Sequence, residues 1–218
     1  MVALAPDLAA FIRANTRLTA PPLLPELRLY LADEPFGLWE RVEAQAGQPE
    51  LPVPFWAFPW AGGIALARYL LDHPEEVAGR TVLDLAAGSG LVAIAAARAG
   101  AAAVTASEID PLALAVIALN AAANGVTLAV APGDLLGGGA RGADLVVAGD
   151  ACYEKLLAQR VLSFLGRAQA GGARVLVGDP GRAFLPRAGL EAIARYDVPA
   201  WPGLEDARIK PTTVWRPA

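Results

Sequence analysis

From Arg80 onward the chain repeats one pattern: a short apolar run, a carboxylate close behind it, then a stretch of helical periodicity. TVLDLA leads into LVAIAAARAG, AAVTASE into PLALAVIALNAAANG, and ADLVVAGD into YEKLLAQRVLSFLGRAQ, while TLAVAPGD and ARVLVGDP are further short apolar runs. Strands that alternate with helices in this way imply a parallel sheet with helices on both faces. Pro111 suits the start of its helix and Asn124-Gly125 its end, and Gly100 closes the helix before it. The tail reads as a helix near 187–195, a strand near 196–200 and a last strand at TTVWR, which closes the sheet with an antiparallel edge. No internal repeat is evident.

Residues 1–60 differ in kind. They are rich in proline, with helical pieces expected at 7–15, 25–32 and 36–45, each broken by Pro or Gly. Trp39, Phe55, Trp56, Phe58 and Trp60 are costly to leave wet, so this segment is expected to dock as a helical cap on a main domain at 61–218. IALARYLLDHPEEV reads as an amphipathic helix stopped near Pro74, with His73 at its C-terminal end.

At 218 residues, 55% hydrophobic and 18% charged, the chain can bury a sizeable core. A net charge of -4 argues against a nucleic-acid partner, because neutralising phosphates needs a basic face. One cysteine, Cys152, excludes an internal disulfide, and with the single histidine it leaves no visible metal-binding set. No long uncharged apolar run suggests a membrane span, and the N-terminus carries Asp7 and lacks a basic leader, so a cytoplasmic protein is expected. Monomer and weak dimer are equally compatible with the sequence.

In parallel sheets of this kind, ligands bind outside the carboxyl ends of the strands. Those ends carry Asp84, Glu108, Asp134, Asp150 and Asp179. The loop DLAAGSG, Asp84 to Gly90, follows the first strand; Gly88 and Gly90 would let the backbone approach a ligand closely. A dinucleotide fingerprint expects a third small residue, and Ala93 stands there, so the glycines do not decide between cofactors. The carboxylate four residues before Gly88 favours the ammonium of S-adenosylmethionine over a pyrophosphate. Glu108 can accept both ribose hydroxyls. Asp134, in PGD, could accept from the adenine amine or could be a turn aspartate.

VLDLAAGSG, then ASEIDP, then GDACYE resemble the seven-strand, Rossmann-like S-adenosylmethionine methyltransferases, and more narrowly the D-x-x-Y protein lysine methyltransferases. RANTRLT, PFWAFPWAGGIALARYLLDHPEEV, VGDPGR and TTVW extend the likeness over nearly the whole chain, toward the bacterial form of the methyltransferases of the electron transfer flavoprotein beta subunit. The DLAAGSG loop is common to many methyltransferases; the other pieces narrow the resemblance. It implies a mostly parallel sheet of seven strands, S-adenosylmethionine as methyl donor, a protein substrate, and Asp150 and Tyr153 at the site of substrate placement and catalysis. On their own, Asp150 could equally be a helix N-cap and Tyr153 a core residue.

Methyl transfer to an amine is an in-line displacement, so the protein must align the reactants and keep the amine neutral. Asp150 is placed to hold the amine and Tyr153 to border its channel. Trp60 could hold the adenine or the sulfonium on its aromatic face. Gly62 and Gly63 would admit the backbone near the cofactor, and Arg182, in GDPGR, could pair with a substrate carboxylate. Methylation of a ribosomal protein, a non-catalytic nucleoside-binding module and an NAD-dependent dehydrogenase are the competing readings. GDACYE in place of an N-P-P-like motif speaks against the first, a need for Asp150 against the second, and Asp84 against the third.

Overall fold

In the computed structural model, which describes residues 6–33, 35–47, 49–201 and 208–218, the N-terminal segment is a cap of small elements. It contains α1 (Pro6–Asn15), the antiparallel pair β1 (Arg17–Thr19) and β2 (Leu29–Leu31), α2 (Pro35–Ala46) and a 3-10 turn at Phe55–Ala57. The helix expected at 25–32 is absent. Pro25 has no N–H to donate, and Leu27, Leu29 and Leu31 alternate in steps of two, so turns lead into a short strand whose leucines point inward.

Next comes α3 (Ala61–Asp72), where His73 occupies the C-cap as expected. Then follow β3 (Thr81–Leu85), α4 (Leu91–Arg98), β4 (Ala103–Glu108), α5 (Pro111–Ala123), β5 (Ala129–Pro132), β6 (Leu145–Gly149), α6 (Lys155–Ala170), β7 (Arg174–Asp179), β8 (Leu190–Pro199) and β9 (Ile209–Pro217). The seven strands from β3 on form one sheet in the order β5-β4-β3-β6-β7-β9-β8. Its pairs are parallel except those of β9, which runs antiparallel to both β7 and β8.

The helix expected near 187–195 is instead the start of β8. An isolated alanine-rich helix of that length is marginal. Gly189 (φ +78°) turns the chain at the outset, and Ile193, Tyr196 and Val198 suit a strand that pairs with β9 from Leu190↔Pro217 to Pro199↔Ile209. A bulge between Ala192 and Ala194 absorbs the mismatch.

Period-two alternation sorts the helices. Val82, Leu145, Val147 and Leu176 face the core that holds α3 and α4, whereas Leu83, Leu85, Val146, Ala148, Val175 and Val177 face α6. Helix α5 is apolar nearly all round, and both sides find a partner. Ile117 joins the sheet core, and Ala113, Ala115, Val116 and Leu119 pack against Ile12, Leu38, Val42, Trp56 and Phe58 of the cap. Asn120, fully buried within this seam, accepts from Tyr30 N–H at 2.8 Å and donates to Ser89 C=O at 2.9 Å. One side chain thereby ties the cap to the glycine loop.

The tightest contact is backbone against backbone. A Cβ on Gly178 would sit 2.1 Å from Gly62 O, one on Gly62 2.3 Å from Gly178 O, and one on Gly149 2.8 Å from Gly63 Cα. These glycines therefore let the first turn of α3 lie directly on the ends of β6 and β7, whereas a Cβ on Gly63 would meet nothing closer than 3.8 Å.

Gly178→Ala should lower unfolding free energy by about 3 kcal/mol, because an extra methyl in a filled contact forces backbone to move. Gly166→Ala, on the exposed face of α6 with no atom within 4 Å of the added methyl, should instead raise it by about 0.5–1 kcal/mol. Similar denaturant midpoints for the two variants would contradict the packing described. Asn120→Ala leaves Tyr30 N–H and Ser89 C=O unpaired and should cost about 2 kcal/mol, with faster hydrogen exchange at Tyr30. Unchanged protection there would mean that the cap docks without it.

Candidate active site

The chain steps outward from β3 to β4 and β5, then crosses back to β6 on the other side of β3. The ends of β3 and β6 thus border the switch point, where a crevice forms in sheets of this type. The β3–α4 loop lies there. Ala86, Gly88 and Gly90 all have positive φ (+55°, +54° and +78°), so the loop coils tightly before α4 begins. A Cβ on Gly90 would press on Ile117 at 3.2 Å, whereas one on Gly88 meets nothing within 4 Å. Gly90 is needed for packing, and Gly88 faces open space that a ligand could fill.

Glu108 Oε2 accepts from Gly88 N–H at 2.8 Å, and Oε1 accepts from Ile109 N–H at 2.7 Å and Asp110 N–H at 3.2 Å. It stands at the mouth of the loop, while Asp110 caps α5 through Leu112 N–H. Asp84 lies beneath the loop, 1% exposed, with Oδ2 accepting from Ala93 N–H at 2.9 Å. Burial, offset in part by that hydrogen bond and reinforced by the Glu108 charge, pushes its carboxyl up to about 8. Through that hydrogen bond it braces the first turn of α4. Asp134 sits apart on the surface. Its Oδ1 accepts from Leu136 N–H and its Oδ2 pairs with Arg160, which holds the carboxyl below the usual range.

Across the crevice, Asp150 ends β6 in a left-handed conformation (φ +56°) that non-glycine residues seldom adopt. Its N–H bonds Gly178 C=O at 2.9 Å, and its carboxylate turns toward α3, where Oδ2 accepts from Gly62 N–H at 2.5 Å. Trp60, the N-cap of α3, makes no side-chain capping bond, so Asp150 supplies one from another strand. It does not cap the helix that follows it. Glu154 does that, accepting from Leu156 and Leu157 N–H at 2.8 Å each. Burial raises the Asp150 carboxyl, opposed by Arg182 and the Gly62 N–H.

Arg182 Nε lies 2.6 Å from Asp150 Oδ1, and its guanidinium carbon is 5.7 Å from the centre of the Trp60 ring. Expected to meet a substrate carboxylate, Arg182 here reaches back to Asp150. Its backbone is fixed by Asp179, whose Oδ1 accepts from Gly181 N–H at 2.6 Å and Arg182 N–H at 2.7 Å.

Tyr153 is 44% exposed, so it is a surface rather than a core residue. Its ring centre is 5.1 Å from that of Phe55, which is 5.7 Å from Trp60. Trp60 Nε1 donates to Phe55 C=O at 2.8 Å, fixing the indole plane. Burial and the charges of Glu108 and Glu154 raise the Tyr153 phenol, which stays a neutral donor. Sequence reasoning missed Phe55. The 3-10 turn rotates it outward while Trp56 and Phe58 go inward, both 1% exposed, and no periodicity in PFWAFPW signals that choice. Cys152 is buried, its thiol pushed up to about 12 by burial and by Asp179 and Asp150, so it is no nucleophile. Among the described residues no group of His, Cys, Asp and Glu could hold a metal ion.

The structure thus brings Trp60, Gly88, Gly90, Glu108, Asp150, Tyr153 and Arg182 to one end of the sheet. Asp84 lies beneath the loop and Asp134 to one side. Among solved structures, magnesium protoporphyrin IX methyltransferase (ChlM) from Synechocystis PCC 6803 with bound SAM has the same fold, with a TM-score of 0.52 and 16% identity over 72% of this chain and 78% of that one. The ribosomal protein L11 methyltransferase (PrmA) family matches residues 66–164. Two relatives match far more of the chain, both called electron transfer flavoprotein beta subunit lysine methyltransferase. The Danio rerio protein is 36% identical over 220 residues (96% of this chain, 83% of its own length), and the Xenopus laevis protein 37% identical over 215 residues (94% and 85%). With cap, loop and D-x-x-Y corner all inside the matched span, the chain belongs to the electron transfer flavoprotein beta subunit lysine methyltransferase family.

Proposed function

We propose that this protein is an S-adenosylmethionine-dependent protein lysine N-methyltransferase acting on the beta subunit of the electron transfer flavoprotein. The observation that carries the reading is the buried Asp150 carboxylate beside an aromatic corner, at the same strand ends as a glycine loop that faces open space. Membership of the family supplies the substrate. The match to the L11 methyltransferases stops short of the cap and of the β7–β9 end of the sheet, so it supports the shared middle of the fold and no ribosomal substrate.

In this reading Gly88 and Gly90 let the loop close on the methyl donor, Glu108 accepts from its ribose hydroxyls, and Trp60 offers an aromatic face to the adenine or the sulfonium. Asp84 supports the loop from below through Ala93 N–H. Asp134 would reach an adenine amine only by sharing its carboxylate with Arg160. When bound, S-adenosylmethionine supplies a methyl group activated by its positive sulfur. Phe55, Trp60 and Tyr153 flank the stem of the target lysine and exclude water, and Asp150 orients its nitrogen by accepting an N–H. A cytoplasmic location is in keeping with a chain whose single cysteine, buried, leaves no framework of disulfides. No described helix is long and apolar enough to cross a membrane.

Incubation of intact electron transfer flavoprotein with this protein and S-adenosylmethionine should add mass to the beta subunit in steps of one methyl. Asp150→Asn should slow that gain by about 100-fold or more while leaving methyl-donor affinity little changed. No gain with the unaltered protein, at full donor occupancy, would remove the flavoprotein as substrate. Glu108→Gln should weaken binding of S-adenosylmethionine by about tenfold or more in calorimetry, the loss expected for a hydrogen bond to a charged group. Equal affinity would place the ribose elsewhere.

A further inference from the structure

The requirements of an incoming lysine ammonium are a carboxylate and an aromatic face. Both are present here, and both already touch a cation of the protein itself. Arg182 donates from Nε to Asp150 Oδ1 at 2.6 Å and stands 5.7 Å from the Trp60 ring centre. Asp150 Oδ2 is taken by Gly62 N–H at 2.5 Å, and the turn that carries Arg182 is fixed to Asp179 at 2.6 and 2.7 Å. Asp150 is 6% exposed and the Arg182 side chain 24%, so water screens their neighbourhood poorly. An ammonium brought to Asp150 therefore meets a guanidinium that the fold has put there first.

We propose, on the basis of the lysine methyltransferase reading above, that Arg182 is a positioning residue that admits the target lysine only as a neutral amine. Its positive charge makes the nitrogen release its proton to water on entry. Asp150, with Arg182 on one oxygen and Gly62 N–H on the other, then orients the amine and need not act as its base. The lone pair left on nitrogen forms the N–C bond as the C–S bond of the methyl donor breaks, and the bonding pair stays on sulfur. The methylated nitrogen is then positively charged and leaves for solvent as an ammonium.

Other charges face the same corner. Lys210, from β9, acts on Asp150 with the same sign as Arg182, and Asp179, at the end of β7, acts with the opposite sign. Glu108 and Glu154 bear on Tyr153, and the Cys152 thiol stays neutral. Asp150 and Asp179 both favour an ammonium, so removing Arg182 leaves a more negative corner. The direction of the effect is fixed: without Arg182 the amine keeps its proton to higher pH.

The test is the pH dependence of single-turnover methylation of the flavoprotein beta subunit at saturating S-adenosylmethionine, for the unaltered enzyme, Arg182→Gln and Arg182→Lys. The unaltered enzyme should reach half its plateau well below the free-lysine value of about 10.4. Arg182→Gln should move that midpoint up by about one pH unit or more, running about tenfold slower at neutral pH and approaching the parent at high pH. Arg182→Lys, which keeps the charge, should keep the parent midpoint whatever its maximal rate. A glutamine variant slowed by the same factor at every pH, or shifted downward, would show a merely structural role. A parent midpoint at the free-lysine value overturns the proposal without any variant. Donor binding to each variant reports folding separately. An unaltered enzyme that binds donor and leaves the beta subunit unmethylated would defeat the substrate assignment, and this inference with it.

Discussion

The site depends on how closely one helix can approach two strands. The first turn of α3 lies against the ends of β6 and β7 only because Gly62, Gly149 and Gly178 have no side chains to hold them apart. That approach brings Gly62 N–H to the Asp150 carboxylate, beside the left-handed backbone at Asp150, and sets Trp60 one residue ahead of the helix. Asp150 gains a helix N-terminus and a guanidinium as compensation for burial. The strain and the burial are thus stored where the chemistry is assigned.

The carboxyl groups at the strand ends look alike in sequence and behave differently in place. Asp84 is enclosed, its carboxyl pushed up by burial, and supports the loop and α4. Glu108 gathers three backbone N–H groups and stays at the crevice. Asp134 is exposed and committed to Arg160. Asp150 and Asp179 form a buried pair with Arg182 between them: one carboxylate takes its side chain, the other its backbone. Burial and hydrogen-bond partners, rather than residue type, separate a support from a site.

Much of this was legible in the sequence, because strand–helix alternation and the carboxylates behind each apolar run are local signals. The parallel sheet, its antiparallel last strand and the glycine loop follow from them. Leu29–Leu31 and the first part of β8, residues 190–195, read as helical in sequence, because their strand character comes from pairing with β1 and β9, which no local window contains; residues 196–199 read as strand. The same limit hid Phe55, turned outward by a 3-10 turn, and the capping of α3 by Asp150 from 88 residues away. The enclosure of Asp84 beneath its loop, against Ala93 N–H, is likewise outside what a local window contains. The role of Arg182 became readable only when Asp150, Trp60 and Asp179 stood around it.

The most direct test of the central claim is a structure of the protein with S-adenosylhomocysteine and a lysine-bearing segment of the flavoprotein beta subunit. The lysine stem should lie between Phe55, Trp60 and Tyr153, its nitrogen within hydrogen-bond distance of Asp150, with Arg182 still on that carboxylate. A lysine that reaches the sulfur by another route, with Asp150 enclosed and touching only Gly62 and Arg182, would contradict it and leave Asp150 as the cap of α3 alone.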